Sequence, residues 1–377
     1  MKVFVGLSGG VDSAVAAYLL KKQGHDVECG FMRNWDASLN NDFLGNPTLE
    51  EDVCPQETDY MDALAVANQL ELKLHRVDFV KEYWEDVFKT FIDETKKGYT
   101  PNPDILCNKF IKFDAFFDYA IKHGFDAVAT GHYAQVEMID GEVRLKKAVD
   151  QNKDQTYFLV QMPKETLSKT LFPLGNYKKE EVRAIANQLQ LPLANKKDST
   201  GICFIGERHY REFLHNYIPN KMGDIIDVDT KEVVGQHHGV MFYTIGQRKG
   251  LNIDHYHGPW FVVGKNLESN ELYVGLTSSH PDLFSDQCVL DRVNLLVDEL
   301  PEKCSAKFRY RQKDNDVTCK LSEGKIIVSY PQQVAAVTLG QEAVLYIDDV
   351  CVGGGQICDV LKQGQSLNDA IIRKVKL

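Results

Sequence analysis

No two cysteines in this chain are spaced Cys-x-x-Cys. The nine present, at 29, 54, 107, 203, 288, 304, 319, 351 and 358, form an odd, scattered set. That argues against a zinc knuckle and a disulfide framework, and leaves most of them as packed free thiols of a reducing compartment. No window approaches the roughly 20 apolar residues that a membrane span needs. The start, MKVFVGLSGG, shows no cleavable leader, so a cytoplasmic protein without a membrane partner is expected. Positive charge is in deficit, with 43 Lys and Arg against 54 Asp and Glu for a net charge of −11. Any polyanion it binds must therefore meet a local basic surface. Neither G-x-x-x-x-G-K-[ST] nor G-x-G-x-x-G occurs, which argues against a γ-phosphoryl-transfer loop and a dinucleotide fingerprint.

What remains is an ordinary globular composition, 44% apolar and 26% charged, over 377 residues. That length implies two or three domains. KVFVGL, SAVAAYLLKKQG, VECGFM, LKLHRVDF and FDAVATGHY alternate strand and helix patterns, predicting an α/β domain with a Rossmann-like parallel sheet. The polar run from Trp35 to Tyr60 is long for such a connection and reads as a mobile or binding loop. Beyond Ile205 the texture changes to short apolar runs broken by Gly and Asn. Three domains follow: 1–210, then a central β-rich domain at 211–283, and a C-terminal β-barrel at 284–377.

The most informative stretch is KVFVGLSGGVDSAVAAYLL, where a strand runs into Ser8-Gly9-Gly10 and a helix starts near Val11. Adjacent glycines let backbone N–H groups approach an anion while the helix N-terminus supplies partial positive charge. Ser8 and Ser13 add hydroxyls, and Asp12 would orient the loop or hold Mg²⁺. Met32 and Gly131 fall after later strands, where open α/β sheets collect ligands. SGG-x-DS after an N-terminal strand resembles the pyrophosphatase loop (PP-loop) of ATP-dependent adenylating enzymes, which implies ATP and transfer of AMP.

Asn102-Pro103-Asp104 precedes an amphipathic helix in which Phe110, Phe113, Phe117 and Ile121 recur at helical spacing up to Gly124. Cys107 lies near its start, where the helix dipole, with Lys109, would favour a thiolate. The alternative is a cysteine buried under the helix. A second thiol, Cys203, sits in the polar, Gly-containing run KKDSTGICFIGE, which offers exposure. The two are 96 residues apart, so only the fold would bring them together.

Collinear motifs then carry a wider resemblance: GLSGGVDS at 6–13, TPNPDILCNKFIKF at 100–113, ATGHYA at 129–134, KDQTYFL at 153–159, DSTGICFIGER at 198–208, YTIGQRKGL at 243–251, RYRQ at 309–312 and VCVGGG at 350–355. Together they resemble the tRNA-specific 2-thiouridylases of the MnmA type. The resemblance implies a PP-loop ATP pyrophosphatase domain of the adenine nucleotide alpha hydrolase kind, followed by two small β-rich domains. It implies ATP-dependent replacement of O2 of the wobble uridine (U34) by sulfur in the tRNAs for Lys, Glu and Gln. By position, Gly6, Leu7, Ser8, Gly9, Gly10, Val11, Asp12, Ser13, Met32 and Gly131 would bind ATP with Mg²⁺, and Asn102, Pro103 and Asp104 would meet the target base. Asp104 would be the acid/base, Cys203 the persulfide carrier and Cys107 its partner nucleophile. His132, Lys153, Asp154, Gln155, Arg309, Tyr310 and Gln341 would contact tRNA. A persulfide donor, a relay protein or a cysteine desulfurase, is the implied protein partner.

Read as a strand, KFRYRQK would place Lys307, Arg309, Arg311 and Lys313 on one face, a basic stripe suited to RNA phosphates. His237, His238, His255 and His257 lack acidic or thiol neighbours and are read as surface residues, so no metal site is expected. The competing enzyme class is an amide-forming or argininosuccinate-forming synthetase. It shares the phosphate loop but has no use for Cys107 or Cys203. An RNA-binding module with a relic nucleotide site would leave NPDILC unexplained.

Overall fold

The computed structural model describes residues 1–44, 55–197, 210–251, 253 and 258–377. They divide into two compact units: Met1–Lys89 with Pro103–Asn216 and Ile347–Val352, and Thr90–Asn102 with Tyr217–Tyr346 and Gly353–Leu377.

In the first unit, the expected parallel sheet is built from β1 (Lys2–Gly6), β2 (Asp26–Arg33), β3 (Lys73–Asp78), β4 (Ala127–Ala129) and β7 (Thr170–Leu171), in the order β3-β2-β1-β4-β7. Between β4 and β7 the chain makes a hairpin, β5 (Ala134–Ile139) and β6 (Glu142–Lys147). The apolar run of β1 serves both faces of the sheet. Val3 and Val5 join the core under α1 (Val11–Lys22), whose Ala14, Ala16 and Ala17 are fully buried in the same cluster. Phe4 points to the other face, stacked on Phe116 at 4.8 Å and tilted against Phe125 at 4.6 Å. Small residues on α1 let it lie close to the sheet, and its N-terminus therefore opens directly above the end of β1. Strand order reverses between β1 and β4, and the crevice at such a reversal is where open α/β sheets bind ligands.

Part of the polar run after Trp35 lies within the described residues. Trp35 Nε1 donates to Asp42 Oδ2 at 3.1 Å, Asn40 N donates to Asp36 O at 2.9 Å, and α2 (Pro55–Gln69) follows. Residues 45–54, including the acidic run, lie outside the described part of the chain.

The second unit contains a four-stranded sheet, β8 (Gly223–Asp227), β9 (Val233–His237), β10 (Trp260–Asn266) and β11 (Glu271–Leu276), in the order β10-β11-β8-β9. Apart from residues 347–352, it also contains the expected barrel. β12 (Phe284–Leu295), β13 (Lys303–Lys307), β14 (Asn315–Ser322), β15 (Lys325–Ala335), β16 (Glu342–Ile347) and β17 (Val350–Lys362) run in the order β12-β15-β14-β13-β16-β17, and β12 pairs with β17 to close six strands. Closure removes the free edges that an open sheet would present.

Two expectations change here. KFRYRQK is not a strand, because β13 stops at Lys307. Phe308 is buried against Tyr330 with ring centroids 5.0 Å apart, its N–H donates to Gln312 Oε1 at 2.9 Å, and Gln312 N donates to Arg309 O at 3.0 Å. Burial of one aromatic thus turns the chain and dissolves the four-cation face. Nor is His237 on the surface. It is fully buried, with Nδ1 accepting from Gly239 N at 3.0 Å and Nε2 donating to Asn270 O at 3.1 Å. His255 and His257 lie outside the described residues.

Candidate active site

The loop between β1 and α1 closes on itself through its two serines. Ser8 N donates to Ser13 Oγ at 3.1 Å, the two hydroxyls are 3.1 Å apart, and Ser13 Oγ donates to Gly10 O at 3.0 Å. Gly9 has φ +74°, a left-handed conformation that favours glycine, and a Cβ there would stand 2.3 Å from the Asp59 carbonyl oxygen of α2. Gly10 caps α1 in extended conformation. The first-turn N–H groups of a twelve-residue helix thus gather at a glycine loop, an arrangement made for anions. Met32, near the end of β2, lies over Gly6, where a Cβ would meet Met32 Cε at 3.3 Å.

Asp12, in the first turn of α1, takes part in a fixed network. Lys179 Nζ donates to both its oxygens, at 2.7 and 2.8 Å, and Tyr133 OH donates to Oδ1 at 2.8 Å. Gly131, just after β4, packs against the same turn, and a Cβ there would stand 2.7 Å from Ser13 N and 2.8 Å from Asp12 C. The glycine loop and the ATGHY segment are therefore closely packed, backbone against backbone.

The KDQ motif joins this network through Tyr133. Tyr133 N donates to Gln155 Oε1 at 2.9 Å and Gln155 N donates to Tyr133 O at 2.8 Å. Asp154 is buried and accepts from Ala148 N and Thr156 Oγ1, holding the turn before the helix Thr156–Leu159. Lys153 is half-buried, its N–H donating to Asp150 O at 3.0 Å.

Asp104 and Cys107 lie where the sequence placed them, in the opening helix Pro103–Cys107. The helix continues in π geometry over Asn108–Ala115, with a kink at Phe113 (φ −109°, ψ 17°), and then as Phe116–Lys122. Phe116, on Phe4, pins this body to the sheet beneath the phosphate loop. The thiolate expectation fails for the described conformation. Cys107 is only 5% exposed, and burial pushes its thiol up to about 11, Lys112 working against this and Asp104 with it. The field of a helix end falls off within the first turn. One turn in and enclosed, Cys107 is governed by desolvation instead. Lys109, named as a helper from sequence, donates to Gln161 Oε1 at 3.2 Å.

Lys112 is the relevant cation. Burial raises the Asp104 carboxyl above its ordinary value and Lys112 draws it back, while His132 is held well below its ordinary value by burial and then by Lys112. One ammonium thus acts electrostatically on Asp104, Cys107 and His132 together. His132 is buried and neutral, with Nδ1 2.7 Å from Thr130 Oγ1 and its ring 6.0 Å from that of Phe113. Asn108, also buried, donates from Nδ2 to Phe158 O at 2.8 Å, while its Oδ1 meets no partner among the described residues.

Asn102 belongs to the second unit, as do Arg309, Tyr310 and Gln341. Arg309 Nη2 donates to Ile245 O at 2.6 Å and Thr338 Oγ1 at 2.9 Å, and Gln341 Nε2 donates to Thr100 O. Tyr310 is half-buried, with the Arg311 guanidinium 6.0 Å from its ring. Cys203 lies outside the described residues.

A family model described as the tRNA methyl transferase HUP domain matches residues 1–207, one described as the tRNA methyl transferase PRC-barrel domain matches 211–276, and one described as the aminomethyltransferase β-barrel domain matches 285–357. Full-length relatives are similarly close. The tRNA-specific 2-thiouridylase MnmA of Mycoplasma capricolum subsp. capricolum is 54% identical over 372 residues, 96% of this chain and 99% of that protein. The protein of the same name from Staphylococcus carnosus is 53% identical over 371 residues, 97% of each chain. The chain belongs to the tRNA-specific 2-thiouridylase family.

In this 2-thiouridylase family member, sequence reasoning missed several residues. Lys112 stands five residues beyond Cys107, outside the three- and four-residue spacing that α-helical reasoning checks, in a stretch that runs in π geometry. Tyr133 lies within ATGHYA and carries no separate signal there. Lys179 and Asp59 carried no local signal, since they reach the phosphate loop from distant positions in the chain.

Proposed function

We propose that the chain catalyses ATP-dependent 2-thiolation of the wobble uridine, U34, in the tRNAs for Lys, Glu and Gln. The observation that carries this reading is the placement of Asp104 and Cys107 on one opening helix turn, in a helical body that Phe116 pins to the sheet of the unit that also holds the phosphate loop. A hydrolase or amide-forming synthetase built on the same loop has no use for a thiol beside an acid in that place.

Residues Gly6 to Ser13, with Met32 and Gly131, would hold ATP, the β- and γ-phosphates facing the N–H groups of the loop and the hydroxyls of Ser8 and Ser13. Asp12 already accepts three hydrogen bonds from Lys179 and Tyr133, which favours Mg²⁺ held mainly by phosphate oxygens and water. ATP supplies a leaving group: AMP is placed on O2 of the uracil and pyrophosphate departs, so that sulfur can attack C2 and expel AMP. Asp104, its carboxyl raised by burial, is suited to keep or give a proton at the base, with Asn102 and Pro103 beside it. Cys203 carries the incoming sulfur as a persulfide, and Cys107 closes the cycle as a disulfide with Cys203, reduced at each turnover.

The base must leave the anticodon stack for this chemistry, which calls for contacts spread over the tRNA. His132, Lys153, Asp154, Gln155, Arg309, Tyr310 and Gln341 are the assigned contacts, across domains 1–210, 211–283 and 284–377. The protein works in the cytoplasm and receives sulfur from a persulfide donor protein. Incubation with ATP, a persulfide donor and unmodified tRNA should yield 2-thiouridine by mass after digestion. Wild-type yield from Cys203→Ser would refute the sulfur route.

A further inference from the structure

Behind the phosphate loop stands an ion cluster that the reaction as described does not use. Lys196 Nζ donates to Gly9 O at 3.1 Å, Asp59 Oδ1 at 2.8 Å and Asp62 Oδ2 at 2.6 Å. Three acceptors use all three donors of an ammonium. Asp59 and Asp62 lie on α2, and the backbone of Asp59 abuts Gly9. Burial would lower the Lys196 ammonium, but its hydrogen bonds to the two carboxylates win and it is held above its ordinary value. It is a fixed cation, balanced by two anions.

The consequence lies in peptide geometry. In a trans peptide the carbonyl and the following N–H point in opposite directions. Pinning Gly9 O to Lys196 therefore turns the Gly10 N–H away from the Lys196–Asp59–Asp62 cluster. The loop is uncrowded at Gly10, where a Cβ would meet only Ser8 Oγ, at 3.4 Å. Gly9 has no Cβ to restrict its backbone, here at φ +74°, so its peptide gains most from such a brace.

We propose that Lys196 is a positioning residue for the pyrophosphate end of ATP, acting through the Gly9–Gly10 peptide and not by touching phosphate, with Asp59 and Asp62 holding its ammonium against the loop. This rests on the phosphate-loop reading above. A lysine meant to meet phosphate directly would be left with donors to spare, whereas this one has none.

The test is calorimetric titration of the full chain with ATP, pyrophosphate and AMP. Lys196→Met should weaken ATP and pyrophosphate about tenfold or more while AMP changes by less than about twofold, and Lys196→Arg should recover most of the loss. The doubly neutral Asp59→Asn/Asp62→Asn variant decides the mode of action and keeps side-chain shape. Positioning requires weaker ATP binding, because the brace loosens. Direct attraction requires tighter binding, because the cation is set free, and that result would overturn the proposal. So would Lys196→Met binding pyrophosphate as the parent does. If the parent chain itself bound neither ATP nor pyrophosphate, the phosphate-loop reading would be the one to fall.

Discussion

Cys107 should be a slow thiol until substrate arrives. Its thiol is pushed from 9.0 to about 11 by burial. Each pKa unit above the working pH costs a factor of ten in thiolate, so two units leave about 100-fold less of the reactive form at neutral pH than in the unfolded chain. Enclosure, at 5% exposure, can only slow the reagent further. Pulse alkylation with iodoacetamide at pH 7.5, native and in denaturant, followed by digestion and mass analysis of the Cys107 peptide, measures this directly. The native rate should be lower by a factor of about 100 or more. Lys112→Met should slow it again by removing the cation that favours the thiolate, and Asp104→Asn should speed it. A native rate within about tenfold of the unfolded one would mean that the helix end governs this thiol after all, and the reasoning from burial would fail. Under the proposed sulfur route, acceleration on adding tRNA and ATP is expected, because Cys107 would have to become accessible to Cys203.

Asp12→Asn and Lys179→Met, combined in a double-mutant cycle on ATP affinity, should show non-additive losses. A bidentate pair with the lysine 11% and the aspartate 32% exposed is expected to couple by about 1–2 kcal/mol once solvent screening is allowed for. Gly131→Ala should abolish ATP binding or lower stability by about 1–3 kcal/mol, measured by calorimetry and thermal unfolding, because its Cβ would collide with the backbone of α1. Arg309→Ala should lower the thermal midpoint, since Ile245 O and Thr338 Oγ1 lose their donor. An unchanged midpoint with a shallower salt dependence of tRNA binding would instead make Arg309 a phosphate contact. Lys265 is fully enclosed and burial lowers its ammonium from 10.5 to about 7, so the unfolded chain binds more protons between those values. Stability relative to Lys265→Met should rise as pH climbs from about 7 toward 10 and stay level below, as read from denaturant titrations across that range.

Local chemistry determined much of this protein from sequence alone. A glycine pair between an apolar strand and an alanine-rich helix can hardly be anything but a strand-to-helix turn with free N–H groups. Pro103 and Asp104 suit a helix start whatever surrounds them. The alternation of apolar runs is enough to specify a parallel sheet and, later, a β-rich module that closes as a barrel. What sequence could not supply was solvent exposure and long-range company. Cys107 carries the same position on the helix in either reading, and only packing decided that desolvation outweighs the dipole. KFRYRQK alternates as a strand should, yet burial of Phe308 against Tyr330 turned the chain and sent Arg309 to a carbonyl 64 residues away. Lys179 and Lys196 sit 167 and 187 residues beyond the groups they hold, Asp12 and Gly9. Spacing of that size carries no periodicity to read, and such contacts exist only once the sheet has gathered its strands.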